Sequence, residues 1–327
     1  MRWGALAALL YSATASFLCP PLNAQQPLPT PTEITLSSSF GGVFAGAARV
    51  AEVPVPGQGV VLASPRPLAW IVQGEDLLAA AHELAKWGHS SVSYSEAKRS
   101  MFSYVDGVEM DGVRGVIAYY SWIFVPGRSD RGGDYREQGD LNGDGYVDKG
   151  GMNAEHVWPQ SYFKQRLPMR SDLHNLLPTF MHPNSVRGRL PFCEVPYGEA
   201  DYATSAGARR GNCGFEPPDM VKGRVARSML YFYTRYLGYN ILPRDAAHNF
   251  WNSRIELLLR WNREFPPDAL ESHRNDLIEQ VQGNRNPYVD DPDLADRIGA
   301  ESFLMRIKSG PYASSGFEPL APRSSKL

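Results

Sequence analysis

Asn153-Ala154-Glu155-His156-Val157-Trp158-Pro159 sets a carboxylate directly beside an imidazole. A second string, Asp172-Leu173-His174-Asn175-Leu176-Leu177-Pro178, follows, and after it come Asn184, Ser185, Val186, Arg187 and Gly188. Side chains that are neighbours in an extended segment point to opposite faces. On that alternation Glu155 holds a metal ion on one side while His156 reaches a water molecule on the other. If Pro183 opens a short helix, Asn184 and Arg187 fall at i and i+3 on one face, and Arg187 can clamp a phosphate oxygen. Taken singly, each residue has a plainer reading: a surface ion pair for Glu155 and His156, a turn or cap for Asn184, a salt-bridge partner for Arg187.

The chemistry that suits this set is hydrolysis of a phosphodiester. It needs a nucleophilic water, an in-line path and positive charge on the phosphate and leaving oxygens. A neutral imidazole takes a proton near neutral pH because its ordinary pKa is about 6.5. Glu155 and Asn184 are hard oxygen ligands of the kind Mg²⁺ accepts, and Mg²⁺ needs few protein ligands because it keeps its own waters. Mn²⁺ or Ca²⁺ are the substitutes to expect. His174 and Asn175 read as buried support for the site.

Charge and composition narrow the classes. The chain has 327 residues and a formal net charge of -2, which excludes a protein that coats nucleic acid through overall positive charge. Residues 71–150 carry 8 basic and 13 acidic side chains, whereas 161–235 carry 11 basic and 6 acidic, so the basic part is the part with the motifs. No HExxH string is present, which argues against a zinc metalloprotease. Beyond the N-terminus no apolar run reaches the roughly 18 residues of a membrane helix.

Residues 1–24 read as a secretory signal cleaved near Ala24, a short apolar run behind Arg2. That removes Cys19 and leaves Cys193 and Cys213, which in an exported chain read as one disulfide. Residues 25–66 form a Pro/Ser/Gly-rich arm or linker, 67–308 the folded domain, and 309–327 a flexible tail. Helical periodicity is expected over 75–87, 95–105, 225–236, 251–259 and 270–281, and Val113 to Val125 reads as one buried strand. Asp140, Asn142, Asp144, Tyr146 and Asp148 match odd-numbered positions of a calcium loop, but Gly151 replaces the bidentate Glu at position twelve. A structural Ca²⁺ site and a solvated hairpin turn both stay open there.

The strings NAEHVWPQSYF and SDLHNLLP, the Asn and Arg that follow them, KGRVARSMLYFYTRY (222–236) and HRNDLIEQVQGNRNPYVDDP (273–292) together resemble the bacterial secreted or periplasmic endonuclease I family. The resemblance spans roughly residues 70–308. It implies an α+β fold, mainly helical with a small antiparallel sheet, and a ββα-metal (His-Me finger) motif. It further implies His156 as general base, Glu155 and Asn184 as ligands of a catalytic Mg²⁺, and an arginine for the leaving phosphate between the two motifs, where Arg166 and Arg170 are both candidates. The implied activity is nonspecific cleavage of DNA, and often RNA, through backbone contacts, leaving 5′-phosphate ends. A monomer with no membrane attachment is expected. The competing expectation is a catalytically silent, calcium-stabilised extracellular nucleic-acid-binding protein on the same scaffold.

Overall fold

Leu77, Leu78, Ala81 and Ala85 recur at helical spacing, and all four are buried along α1 (Glu75–Lys86). A computed structural model describes residues 73–196 and 198–305. The expected leader, the arm and the tail lie outside the described residues. Helix α2 (Tyr94–Ser100) starts at Ser93, whose hydroxyl accepts the Glu96 N–H, and runs into one wider turn over Met101–Val105. Ala97, Met101, Phe102 and Val105 all face inward as their spacing predicts.

The expected single strand from Val113 to Val125 is instead a hairpin. Strands β1 (Gly107–Met110), β2 (Val113–Ala118) and β3 (Ile123–Pro126) form an antiparallel sheet in that order, and the chain reverses between β2 and β3. The reversal carries no Gly or Pro, so the run of β-branched and aromatic residues hides it, and Trp122 adopts a positive φ of 49° to complete it. Tyr119 and Tyr120 at this reversal are buried, and the Tyr119 N–H donates to the Pro178 carbonyl at 2.9 Å. That bond fastens the first sheet to the second.

The second sheet pairs β4 (Met152–His156) antiparallel with β5 (Leu176–Phe180), placing Glu155 opposite Leu177 and His156 opposite Leu176. Helix α3 (Met181–Arg187) follows β5 without a linker. It starts two residues earlier than Pro183 suggests. Proline is tolerated in this first turn because N–H groups there have no intrahelical acceptor. Gly151 enters β4 with φ of 80°, and a Cβ on it would meet the Gly132 carbonyl at 2.7 Å. The glutamate missing from position twelve of the calcium pattern is thus excluded by a close backbone approach.

A third small sheet, β6 (Tyr202–Ala203), β7 (Arg209–Gly211) and β8 (Gly214–Glu216), adjoins the Cys193–Cys213 disulfide. Helix α4 (Asp219–Arg235) then passes through the middle of the molecule, with Val221 through Arg235 all buried. It packs against α1 and against α5 (Ile255–Glu264). Two of its buried charges are closely paired: Lys222 with Glu216 at 2.7 Å, and Arg227 with both oxygens of Glu271. Glu271 belongs to α6 (Ala269–Gln282), which Asp268 caps by accepting the Glu271 N–H. The short helices α7 (Pro287–Asp290) and α8 (Leu294–Ile298) complete an α+β architecture. Among the described residues no helix is long and apolar enough to cross a membrane.

Candidate active site

His156 ends β4, and its Nε2 lies 3.0 Å from the Arg170 carbonyl oxygen. A carbonyl can only accept, so Nε2 carries the proton and Nδ1 is left as the acceptor nitrogen; the tautomer is assigned from this bond. The ring is 4 % exposed and lies against Tyr94 and Phe163, with centroids 5.5 and 6.5 Å away. Burial, reinforced by the positive charges of Arg170 and Arg187, pulls its pKa down to about 4. The imidazole is therefore neutral at physiological pH.

Glu155 projects to the other side of β4. Its Oε1 accepts from Arg187 Nη1 at 2.7 Å and from the Tyr120 hydroxyl at 2.9 Å. Burial pushes its pKa up to about 7, while Arg187 and Tyr120 pull the other way. Strand periodicity sets Asn153 on the same face as Glu155. The Asn184 Nδ2 donates to Asn153 Oδ1 at 2.6 Å, so α3 brings the Asn184 amide to the face that carries the carboxylate. With its nitrogen so engaged, the Asn184 Oδ1 is the atom left to bind a cation.

Arg187 departs from the expected phosphate clamp. Its guanidinium is at 0 % exposure and donates to Glu155, to the His156 carbonyl at 2.9 Å and to the Val157 carbonyl at 2.6 Å, and it lies over the Phe192 ring. A group so enclosed presents no donor to a substrate. Arg187 instead ties α3 to the end of β4, which is the salt-bridge reading of that residue carried further.

The two arginines between the motifs separate cleanly. Arg166 donates to the carbonyls of Phe163 and Asn240, which ties down its own loop. Arg170 offers its carbonyl to His156, donates from Nε to Gln160 Oε1 at 3.1 Å, and lies over the Tyr94 ring at 4.2 Å. Of the pair, Arg170 is the one beside the imidazole.

The remaining motif residues form a buried polar framework behind the site. Asn175 accepts the Trp158 N–H and donates to the Trp158 carbonyl, locking the turn after His156. Asp172 accepts from the Tyr231 and Tyr236 hydroxyls and from Gln282, while His174 Nε2 donates to the Asn284 carbonyl. Asn284 in turn donates to Ala85 and Tyr231, and Asn286 to the Arg227 carbonyl. The distant QGNRNP string thus holds the second motif in place through its amides, each buried group satisfied by a partner. His174 and Asn175 are buried, as expected of support.

In the Asp140 to Asp148 loop, Asp140 accepts the N–H groups of Asp144 and Gly145, Asn142 that of Asp144, and Asp144 that of Tyr146. Asp144 also binds the His182 ring and the Tyr202 hydroxyl, and Asp148 accepts the His182 N–H at 2.8 Å. The loop is thereby fastened to α3, two residues from Asn184. Among the described residues no group of three or more His, Cys, Asp or Glu converges as a metal site. The second oxygen of Asp148 is nevertheless buried without a partner.

Sequence reasoning gave no role to Tyr94, Tyr120, Asn153 and Gln160, which touch the site; Asn153 and Gln160 stand inside the NAEHVWPQSYF string, whereas Tyr94 and Tyr120 lie outside every motif. Of the basic residues in 161–235, Arg187, Lys222, Arg224, Arg227 and Arg235 are buried. The Cys193–Cys213 disulfide is formed as expected.

The family profile described as Endonuclease I matches residues 81–293. An extracellular ribonuclease of Bacillus subtilis (strain 168) is 32% identical over 235 residues, covering 69% of this chain and 74% of that protein. One of Bacillus amyloliquefaciens is 36% identical over 159 residues, 46% of this chain and 54% of its own length. An extracellular deoxyribonuclease of Aeromonas hydrophila is 30% identical over 128 residues, 37% of this chain. The matched region spans 50% of that relative.

Proposed function

This chain belongs to the endonuclease I family, and from that premise we propose that it is an exported, metal-dependent endonuclease that hydrolyses phosphodiester bonds of DNA and RNA. The observation that carries the reading is the Nε2 to Arg170 bond of His156. In the neutral ring that burial favours, this bond keeps the proton on Nε2 and leaves Nδ1 as proton acceptor, which is the state a general base requires.

The β4–β5–α3 unit serves as the ββα-metal motif in this reading. His156 Nδ1 removes a proton from the attacking water, and Arg170 meets the negative charge that develops on the leaving phosphate. The donor set suits a hard divalent cation, since Glu155 and Asn153 share one face of β4 and the Asn184 amide of α3 bonds to that Asn153. Glu155 and Asn184 would hold Mg²⁺, which would supply Lewis acidity to the phosphodiester. Arg187 and Tyr120 hold the Glu155 carboxylate in orientation from behind. A structural Ca²⁺ in the Asp140 to Asp148 loop is a second part of the proposal, supported by the unpartnered Asp148 oxygen.

Relatives named as extracellular support export, with a leader over residues 1–24 cleaved near Ala24. Relatives named as ribonuclease and as deoxyribonuclease support a sugar-tolerant site that reads the backbone. The test is supercoiled plasmid and a labelled RNA incubated with mature protein across Mg²⁺, Mn²⁺ and Ca²⁺, with an EDTA arm. Nicking followed by linearisation that EDTA abolishes is expected. Intact plasmid and RNA in every metal would sink the reading.

A further inference from the structure

Tyr94 and Lys98 sit at i and i+4 on α2, so they share one helix face. The Lys98 ammonium lies 4.9 Å from the Tyr94 ring centroid, and the Arg170 guanidinium lies 4.2 Å from the same centroid. The ring itself is 5.5 Å from the His156 imidazole. Two cations are thus gathered over one aromatic ring beside the reacting centre.

Their charge is uncompensated by the protein. Among the described residues, neither Lys98 nor Arg170 pairs with a carboxylate, although the next residue, Arg99, reaches Asp130 at 3.7 Å. Arg170 donates only from Nε, to the neutral Gln160, so both terminal nitrogens keep their donors for another partner. Both side chains are partly open to solvent. Like charges brought together repel, and a ring quadrupole offsets this only in part at an exposed site. An arrangement of this kind is completed by an anion.

We propose that Lys98, held on the Tyr94 ring beside Arg170 and His156, forms a subsite for a second backbone phosphate of the nucleic-acid substrate, next to the phosphate that Arg170 meets. Lys98 contributes a point charge and Arg170 a planar fork, so neighbouring phosphates of one strand are met by a non-directional and a directional donor. Tyr94 acts as a positioning residue, keeping both cations and the His156 ring in one cluster. The subsite reads no base, which accords with backbone-directed cleavage. The inference rests on the nuclease reading given above.

Binding separates the two. Full-length mature protein in EDTA is titrated against a fluorescein-labelled DNA duplex by anisotropy, over a series of salt concentrations. Each phosphate contact contributes about one unit to the slope of log K against log salt. Lys98→Gln is expected to lower the slope by about one unit and to weaken binding roughly tenfold at low salt. Tyr94→Leu should weaken binding to a similar degree, whereas Tyr94→Phe, which keeps the ring, should match wild type. Lys86→Gln, on α1 and paired with Glu83, is the control expected to change nothing. A Lys98→Gln slope equal to wild type, in a protein that still cleaves plasmid with Mg²⁺, overturns the subsite alone. Wild-type protein that neither binds the duplex nor cleaves plasmid overturns the nuclease reading and the subsite with it.

Discussion

The Arg187 guanidinium meets the Glu155 carboxylate at 2.7 Å with the two side chains 0 % and 3 % exposed. This one contact joins α3, which carries Asn184, to β4, which carries His156. Removing one partner of a buried pair leaves a charge without compensation, at about 3–5 kcal/mol. Arg187→Ala is therefore expected to lose that much stability in urea unfolding and to lose activity together with it. Arg187→Lys should recover part of the stability but little activity, because an ammonium cannot serve Glu155 and two carbonyls at once. Full activity in Arg187→Ala would place the arginine outside the site's architecture.

His156→Ala removes the proposed general base without breaking the Glu155–Arg187 pair behind it. A loss of about 10²- to 10⁴-fold in kcat is expected, with the melting temperature nearly unchanged. The check is initial-rate cleavage of plasmid beside a thermal melt. Retention of near wild-type kcat would remove His156 from the proton transfer.

Acid should destabilise the fold through its buried histidines. Burial holds the His174 pKa down to about 4, against about 6.5 in an unfolded chain. Between those values the unfolded state binds more protons, so stability rises with pH through this window and is level above it. From pH 6.5 down to pH 5, His174 contributes a loss of about 2 kcal/mol. Urea unfolding at several pH values measures the slope. His174→Gln should flatten it by about one proton, and an unaltered slope would show that another group controls the transition.

Loss of the Cys193–Cys213 crosslink, which closes a sequence separation of 20 residues, should cost about 3 kcal/mol by chain entropy. Paired substitution to serine, followed by urea unfolding, measures it. A midpoint equal to that of the oxidised protein would mean that the β6–β8 sheet is held by its packing alone.

Calcium should raise the melting temperature if it enters the Asp140 to Asp148 loop. Burial and the nearby charges of Glu137 and Asp144 push the Asp148 pKa up to about 6, a strain that a cation relieves. At a hundredfold excess over Kd the gain is about 2.7 kcal/mol. A melt that is the same in Ca²⁺ and in EDTA retires the calcium proposal and leaves the loop as a hydrogen-bonded brace on α3.

The local sequence determined the elements whose signal is periodic. Leu77 to Ala85 and Ala97 to Val105 placed α1 and α2 by the spacing of apolar residues alone, and Glu155, His156 and Asn184 stand out in the sequence as a set whose residue types and order suit one chemistry. Where two readings share a pattern, local sequence had no preference: the run from Val113 to Val125 serves one buried strand or two paired ones equally well, and only packing of Tyr119 and Tyr120 against β4 and β5 decided the reversal. The fate of the arginines was likewise tertiary. A guanidinium's charge is visible in the sequence, but whether it faces a substrate or a buried carboxylate depends on which backbone carbonyls surround it after folding. That difference turned Arg187 into the brace of Glu155 and left Arg170, with Lys98 and Tyr94, beside the imidazole.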